Sequence, residues 1–285
     1  MCRCVVADER VRVRLLLAYD GSGFRGFAPN PGVPTVGGVL GESLERILRH
    51  PVALTCAGRT DAGVHAQGQV VTFDADPERV DVKRLAGSLN AMCGPAVVIG
   101  DVTVAEPGFD ARFDARSRTY RYSVLNAAVA DPLTRHTSWL ITAPIDHDVM
   151  REASEALLGQ HDFSSFCRRK VVTGHDGGEV EASRVRTIRR AEWCDLGEGR
   201  LRFEIEASSF CQQMVRAIVG TLTGMGIGRR PVERTRLDGY RSTWSAAEEV
   251  AAVLAARDRT AAGDLAPPHG LCLWAVSYEE PVAVG

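Results

Sequence analysis

The chain reads as an α+β protein built from two similar halves, and three observations carry that reading. Apolar β-forming runs alternate with amphipathic helical runs along the whole length. The returns between neighbouring strands are short, which favours antiparallel pairing over a doubly wound parallel sheet. Glu106-Pro107-Gly108 breaks the pattern and marks the boundary between a half over 1–107 and a half over 108–285. With 285 residues, 45% apolar and 25% charged, the chain has enough material for one large or two ordinary domains with a sizeable core.

In the first half, Val11 to Ala18 starts as an alternating strand and becomes wholly apolar, as a central strand does, and Asp20-Gly21-Ser22-Gly23 turns it. Thr35 caps a helix running to about Arg49, with Val39, Leu40, Leu44, Ile47 and Leu48 on one face and Pro51 as its stop. Two strands, Val52 to Cys56 and Val70 to Phe73, flank a glycine-bounded loop. A helix from Asp81 to Met92 and a strand from Ala96 to Val104 close this half.

The second half repeats the alternation. Strands are expected at Arg118–Leu125, Val185–Trp193, Leu201–Ala207 and Cys272–Tyr278. Helices are expected at Asp146–Leu158, with Gly159 as its C-terminal stop, from about Gln212 to Met225, and at Ala246–Ala256. Thr173 to Gly178 reads as a surface loop.

No apolar run approaches a membrane span, and Met1-Cys2-Arg3-Cys4 is not followed by a secretory apolar region, so a cytoplasmic protein is expected. Eight scattered cysteines lack a repeating C-x-x-C, and in a reducing compartment free thiols are the default; Cys2-x-Cys4 has no partner pair at zinc spacing, so no metal is expected. The formal net charge of −2 speaks against a uniformly basic surface. Its distribution is uneven: Arg112, Arg116, Arg118 and Arg121 form one cluster, Arg168, Arg169 and Lys170 a second, and Arg184, Arg186, Arg189 and Arg190 a third. Such clusters in a mildly acidic chain suggest a one-sided anion-binding surface.

The densest chemistry lies between Cys56 and Asp74, in C-A-G-R-T-D-A-G-V-H-A-Q-G-Q-V-V-T-F-D. Gly58 and Gly63 bracket a tight turn that presents Arg59 and Asp61, with His65 close by. For an isolated R-T-D in a loop, an Asx-turn with a solvated arginine is the ordinary outcome. The whole string, however, resembles the signature of the A-type tRNA pseudouridine synthases, in which the Asp of G-R-T-D-A-G-V-H is catalytic. The resemblance continues through Tyr19-Asp20-Gly21, Ala111-Arg112-Phe113 with Tyr120 and Tyr122, Leu158-Gly159-x-His161-Asp162-Phe163, Phe210 with Met214-Val215-Arg216, and Pro268 with Gly270-Leu271. It departs at Gly26-Phe27-Ala28, where the family has Gly-Trp-Gln, and at Cys211-Gln212-Gln213, where a His often precedes Met-Val-Arg.

The resemblance implies two ferredoxin-like (RRM-like) halves sharing one continuous, mostly antiparallel sheet, a basic cleft between them, and a homodimer. It implies that uridine is converted to pseudouridine in the anticodon stem-loop of tRNA, at positions 38, 39 and 40 in this family. The reaction breaks a C–N glycosidic bond and rejoins the same sugar carbon to uracil C5, so it needs no redox or energy input and no cofactor. One ionised carboxylate, Asp61, serves as nucleophile or as base at the sugar. A desolvated carboxylate needs a cation to stay charged, and by resemblance Arg216 is that cation. Arg216 lies in a helix among Met214, Val215, Ile218, Val219 and Leu222, where an arginine is expected to be buried and paired rather than solvated. Extruding a stacked uridine leaves a gap that Arg59 is placed to fill. Tyr120 offers a ring face for the flipped base, although half-buried sheet packing is the commoner fate of such a tyrosine. His65 orders the loop or contacts phosphate, the ordering role ranking first. The alternative is a non-catalytic RNA-binding or folding protein with the same cleft, for which an Asp61–Arg216 pair has no use. A glycoside hydrolase would require a second catalytic carboxylate.

Overall fold

The computed structural model describes residues 10–169, 171–173, 179–228 and 245–279. Contacts group the chain up to Arg116, together with the closing stretch from Leu273, into one unit, and Ser117–Cys272 into a second.

The first unit contains β1 (Val11–Tyr19), α1 (Val36–Leu48), β2 (Thr55–Cys56), β3 (His65–Ala75), α2 (Val82–Cys93) and β4 (Val97–Val104). Its strands run β4-β1-β3, all antiparallel, with β2 added to β3. Along β1, Val13, Leu15, Leu17 and Tyr19 are buried while Leu16 is exposed. The apolar run L-L-L therefore does not mark a strand covered on both faces: β1 is central by pairing and open on one side. α1 begins as expected, with the Thr35 hydroxyl accepting from the Gly38 amide at 3.2 Å, and it buries Leu40, Leu44 and Leu48. Asp81 caps α2 in the same way. β3 is longer than the apolar run foretold, because its pairing with β1 extends back to Ala66 opposite Tyr19. Conversely, only Thr55 and Cys56 of the expected preceding strand pair with it.

The second unit contains β5 (Ser117–Asn126), β6 (Trp139–Ile141), α3 (His147–Glu155), β7 (Gly159–Asp162), β8 (Val171–Thr173), β9 (Glu179–Glu181), β10 (Val185–Asp195), β11 (Arg200–Ala207), α4 (Met214–Gly226) and α5 (Ala246–Ala256). The order is β5-β11-β10-β7, antiparallel throughout, with β6 parallel to β5 and β8–β9 a separate hairpin. β12 (Leu271–Ser277) is the last described strand, and its residues from Leu273 on belong to the first unit, where they lie beside β3. Tyr122, Phe203 and Ile205 are fully buried on one face of the β5/β11 pair, while Arg121, Glu204 and Glu206 point the other way.

Two helix ends depart from expectation. α3 stops at Glu155 rather than Leu158, because the last amides fold into i→i+3 bonds (Leu157 to Ser154 at 3.1 Å, Leu158 to Glu155 at 3.2 Å), and Gly159 opens β7. α4 starts at Met214 rather than Gln212, since Gln213 sits at φ +68°, outside the helical region. Thr173 belongs to β8, while the remainder of the expected 173–178 loop, like Cys2, Cys4 and Lys170, lies outside the described residues. No helix among the described residues is long and apolar enough to cross a membrane.

Candidate active site

In the first unit the Asp61 loop leaves β2 and enters β3. The Val64 amide donates to the Asp61 carbonyl at 3.2 Å, closing a turn in which Gly63 takes φ +78°, a conformation costly for any residue with a Cβ. The segment before Asp61 is fixed from below. Gln69, fully buried, donates from Nε2 to the Gly58 carbonyl at 2.7 Å and accepts the Gly58 amide at 3.4 Å. Its Nε2 also reaches the Tyr19 hydroxyl at 3.4 Å, and that hydroxyl lies 2.7 Å from Oγ1 of buried Thr60. The Thr60 carbonyl accepts from the Phe27 amide at 3.1 Å. Arg59 is exposed and Asp61 half-buried at the tip. On the N-terminal side of Asp61, Gly58 and the Thr60 hydroxyl are thus held by the buried side chains of Gln69 and Tyr19, and on the other side the Gly63 amide donates to the Phe24 carbonyl at 3.3 Å.

His65 is buried. Its Nδ1 faces the Gly21 amide at 3.1 Å and Oδ1 of Asp20 at 3.2 Å, which ties the start of β3 to the turn after β1.

In the second unit, Tyr120 and Tyr122 alternate with Arg121 on β5 and share the buried face. The Tyr120 ring is 7% exposed and meets Phe210 edge-on, with centroids 5.1 Å apart. The Tyr122 hydroxyl donates to the Pro267 carbonyl at 2.8 Å; burial pushes its phenol far up, against the opposing charge of nearby Arg216. Arg216 is half-buried rather than enclosed, and its Nε donates to the Ala266 carbonyl at 2.7 Å, while its own carbonyl accepts the Ala266 amide at 3.1 Å. The segment 263–266 thus runs along α4 and clasps Arg216. A Cβ on Gly220 would fall 1.8 Å from the Asp264 carbonyl oxygen, so this close approach depends on the glycine.

Much of the positive charge counted from sequence is spent inside the protein. Arg121 pairs with Glu204, Arg190 with Glu204 at 2.6 Å, Arg189 with Glu206 at 3.9 Å, and Arg184 and Arg169 both with Glu181. Arg118 is buried and donates to the Ser208 carbonyl at 2.7 Å. β11 carries Glu204 and Glu206 into register beside Arg121, Arg189 and Arg190, so these arginines of the first and third clusters are partly balanced by neighbouring carboxylates. Among the described residues Cys56, Cys93, Cys194 and Cys272 carry no disulfide, as expected, but Cys167 and Cys211 are bonded, with Cα atoms 5.7 Å apart. Gln69, Tyr122 and the Ala266 carbonyl were not foreseen as parts of the site.

Residues 153–237 match the family model described as tRNA pseudouridine synthase. The chain is 42% identical to the tRNA pseudouridine synthase A of Frankia casuarinae, over 96% of this chain and 91% of that one. It is 38% identical to the enzyme of that name from Myxococcus xanthus (94% and 92% covered) and 36% identical to that of Bacillus subtilis (94% and 100%). Among solved structures, a Cbf5–Nop10–Gar1 complex aligns at 13% identity and a TM-score of 0.28, over 75% of this chain and 45% of that one, too remote to bear on the site. On the end-to-end identity with its curated relatives, the chain belongs to the tRNA pseudouridine synthase A family.

Proposed function

We propose that this protein isomerises uridine to pseudouridine in tRNA, with Asp61 as the catalytic carboxylate, acting as nucleophile or as base at the sugar. The observation that carries the reading is the loop itself. A half-buried aspartate follows a segment clamped by the buried side chains of Gln69 and Tyr19, an arrangement suited to holding one carboxylate still against a sugar carbon. In the reaction the C1′–N1 bond breaks, the uracil turns over, C5 joins C1′, the C5 hydrogen leaves as a proton and the freed N1 takes one up, so product and substrate are isomers and no cofactor is consumed.

In this reading Arg216 supplies the positive charge that keeps the carboxylate ionised during turnover, Tyr120 and Arg59 receive the extruded base and the space it vacates, and His65 orders the loop. The finer features follow the family resemblance: two ferredoxin-like halves sharing one sheet with a basic cleft, a homodimer, cytoplasmic location, and a target in the anticodon stem-loop.

Unmodified tRNA labelled at uridine C5 with tritium provides the test. Release of label by the wild type, and its loss in Asp61→Asn with folding and tRNA affinity retained, is the expected result. Turnover by Asp61→Asn would sink the assignment, and tRNA binding without release by the wild type would favour a non-catalytic RNA-binding protein.

A further inference from the structure

We propose that the Cys167–Cys211 bond is a positioning staple for Tyr120 and Arg216, and that its thiol–disulfide state sets the turnover rate. The proposal rests on the functional reading above.

Cys167 follows a single helical turn, Ser164–Phe166, in which Ser165 and Phe166 are buried. Cys211 opens the two-residue link into α4. Their segments already meet through the backbone, since the Arg168 amide donates to the Gln212 carbonyl at 3.1 Å. The Cα separation of 5.7 Å lies within the range ordinary disulfides span.

What surrounds Cys211 gives the bond its consequence. The residue before it is Phe210, whose ring abuts Tyr120 edge-on at 5.1 Å. Its carbonyl accepts the Met214 amide at 3.1 Å, and its sulfur lies 3.7 Å from that of Met214, the first residue of α4. Between them Gln213 adopts φ +68°, which a residue with a side chain keeps only where its surroundings hold it there. Two residues into α4 is Arg216. One bond therefore anchors the ring that backs Tyr120 and the first turn that carries Arg216. This same position is where the sequence departs from its family, with Cys211-Gln212 ahead of the Met-Val-Arg run.

The redox step balances with a small thiol such as glutathione. Its thiolate attacks a sulfur of the pair, most accessibly half-buried Cys211 rather than Cys167 at 2% exposure, and releases the other cysteine as a thiolate. A second glutathione resolves the mixed disulfide. Two electrons and two protons pass to the protein sulfurs, and two glutathiones leave as oxidised glutathione. The reverse reaction re-forms the staple.

The full-length protein is equilibrated in graded mixtures of reduced and oxidised glutathione, alkylated, and mapped by mass spectrometry. The same samples are assayed for kcat, KM and thermal unfolding, and for amide hydrogen exchange over residues 208–216. Reduction is expected to speed exchange in that segment and to lower kcat by about three-fold or more with little change in KM, reversibly, as small misplacements of site residues do. Cys211→Ser and Cys167→Ser should sit at the reduced level and ignore the glutathione ratio. Equal kcat in the two states overturns the proposal even if the melting temperature moves, as does a response that survives in the serine variants, or a pair that stays reduced at every ratio. If neither state turns over, the functional reading fails instead, and the exchange difference alone still decides whether the staple orders the segment.

Discussion

The Tyr19 hydroxyl lies 2.7 Å from Oγ1 of Thr60, the residue immediately before Asp61, and both groups are buried. Tyr19 ends β1 and Thr60 belongs to the loop after β2, so this contact fixes the loop to the sheet across 41 residues of sequence. Tyr19→Phe removes one oxygen and nothing else. It leaves the Thr60 hydroxyl with one partner fewer and should cost about 1 kcal/mol of stability. Because the same bond orients the residue next to Asp61, kcat should fall by more than stability alone explains, with KM for tRNA nearly unchanged. Gln69→Leu, which releases both polar groups of Gly58, should be more severe on both counts. Urea unfolding beside steady-state kinetics checks this; a Tyr19→Phe enzyme with wild-type kcat would show that the loop holds itself.

Gly220→Ala should destabilise, although alanine is favoured over glycine inside a helix by about 1 kcal/mol. The added methyl would lie 1.8 Å from the backbone oxygen of Asp264, an atom that has no rotamer to retreat into. Overpacking of this kind costs about 1–3 kcal/mol, so the sign is set by packing rather than propensity. Moving 263–266 away from α4 also withdraws the Ala266 carbonyl from Arg216. A lowered melting temperature together with lowered activity is expected, and a stabilised variant would refute the close approach.

The legible parts of the fold were those written in local chemistry. Thr35 before α1 announces its helix locally, and both α1 and α5 start where expected; the capping box that Ser245 and Glu248 form before α5 is a local signal of the same kind that was not read. The turn that carries Asp61 was legible because Gly63 and its neighbours are contiguous, whereas the expectation of a catalytic role for Asp61 came from the family resemblance of the whole string. What escaped depends on distance along the chain. The Ala266 carbonyl that holds Arg216 is 50 residues away, and Tyr19 is 50 residues from the Gln69 that it meets. Glu204 cancels Arg121 only once β11 is set in register against β5, 83 residues on. Cys167 and Cys211, 44 residues apart, likewise pair through the fold rather than through spacing.

Asp162 should make stability depend on pH. Its carboxylate accepts from the Ser164 hydroxyl at 2.6 Å and the Ser164 amide at 3.0 Å, and Arg257 lies 3.3 Å away. The Ser164 hydroxyl chiefly, against some desolvation, holds the carboxyl below its ordinary range. A depressed folded-state value means that the stabilisation is complete above the unfolded carboxyl's range and fades as the pH drops through the folded value. After screening it amounts to about 0.5–1 kcal/mol. Asp162→Asn should thus be less stable than wild type at pH 7, with the gap closing as the pH falls through the depressed folded-state value, below the ordinary carboxyl range. A gap that is constant with pH would assign the loss to packing rather than charge.

Tyr120 is tested by comparing two variants. Tyr120→Phe keeps the ring that meets Phe210 and should bind tRNA as the wild type does. Tyr120→Ala loses that edge-on contact and any stacking on an extruded base, worth about 1–3 kcal/mol. Burial to 7% exposure means that the alanine variant also leaves a cavity, so its folding must be measured alongside its affinity. Equal tRNA affinity and equal kcat in the two variants would show that the ring serves the fold alone.

Arg216 offers the sharpest separation of charge from shape. Its Nε–H is committed to the Ala266 carbonyl at 2.7 Å, which leaves the two terminal nitrogens of the planar guanidinium for other partners. Arg216→Lys retains a positive charge but carries it on a single ammonium that cannot hold the carbonyl and reach onward at once. Arg216→Met retains the apolar stem, suits the buried neighbours Met214, Val215 and Ile218, and removes the charge. Both variants remove the Nε–H donor that the Ala266 carbonyl now accepts, which costs about 1–3 kcal/mol for a buried group and less here, where the residue is half-buried. Stability should therefore drop modestly and to a similar degree in the two. If the charge of Arg216 serves the reaction, label release should fall further in the methionine variant than in the lysine variant, with tRNA affinity alike in both. Equal losses of activity that track equal losses of stability would reduce Arg216 to a brace for the 263–266 segment, and the cation that supports Asp61 would then have to be sought at Arg59 on its own loop.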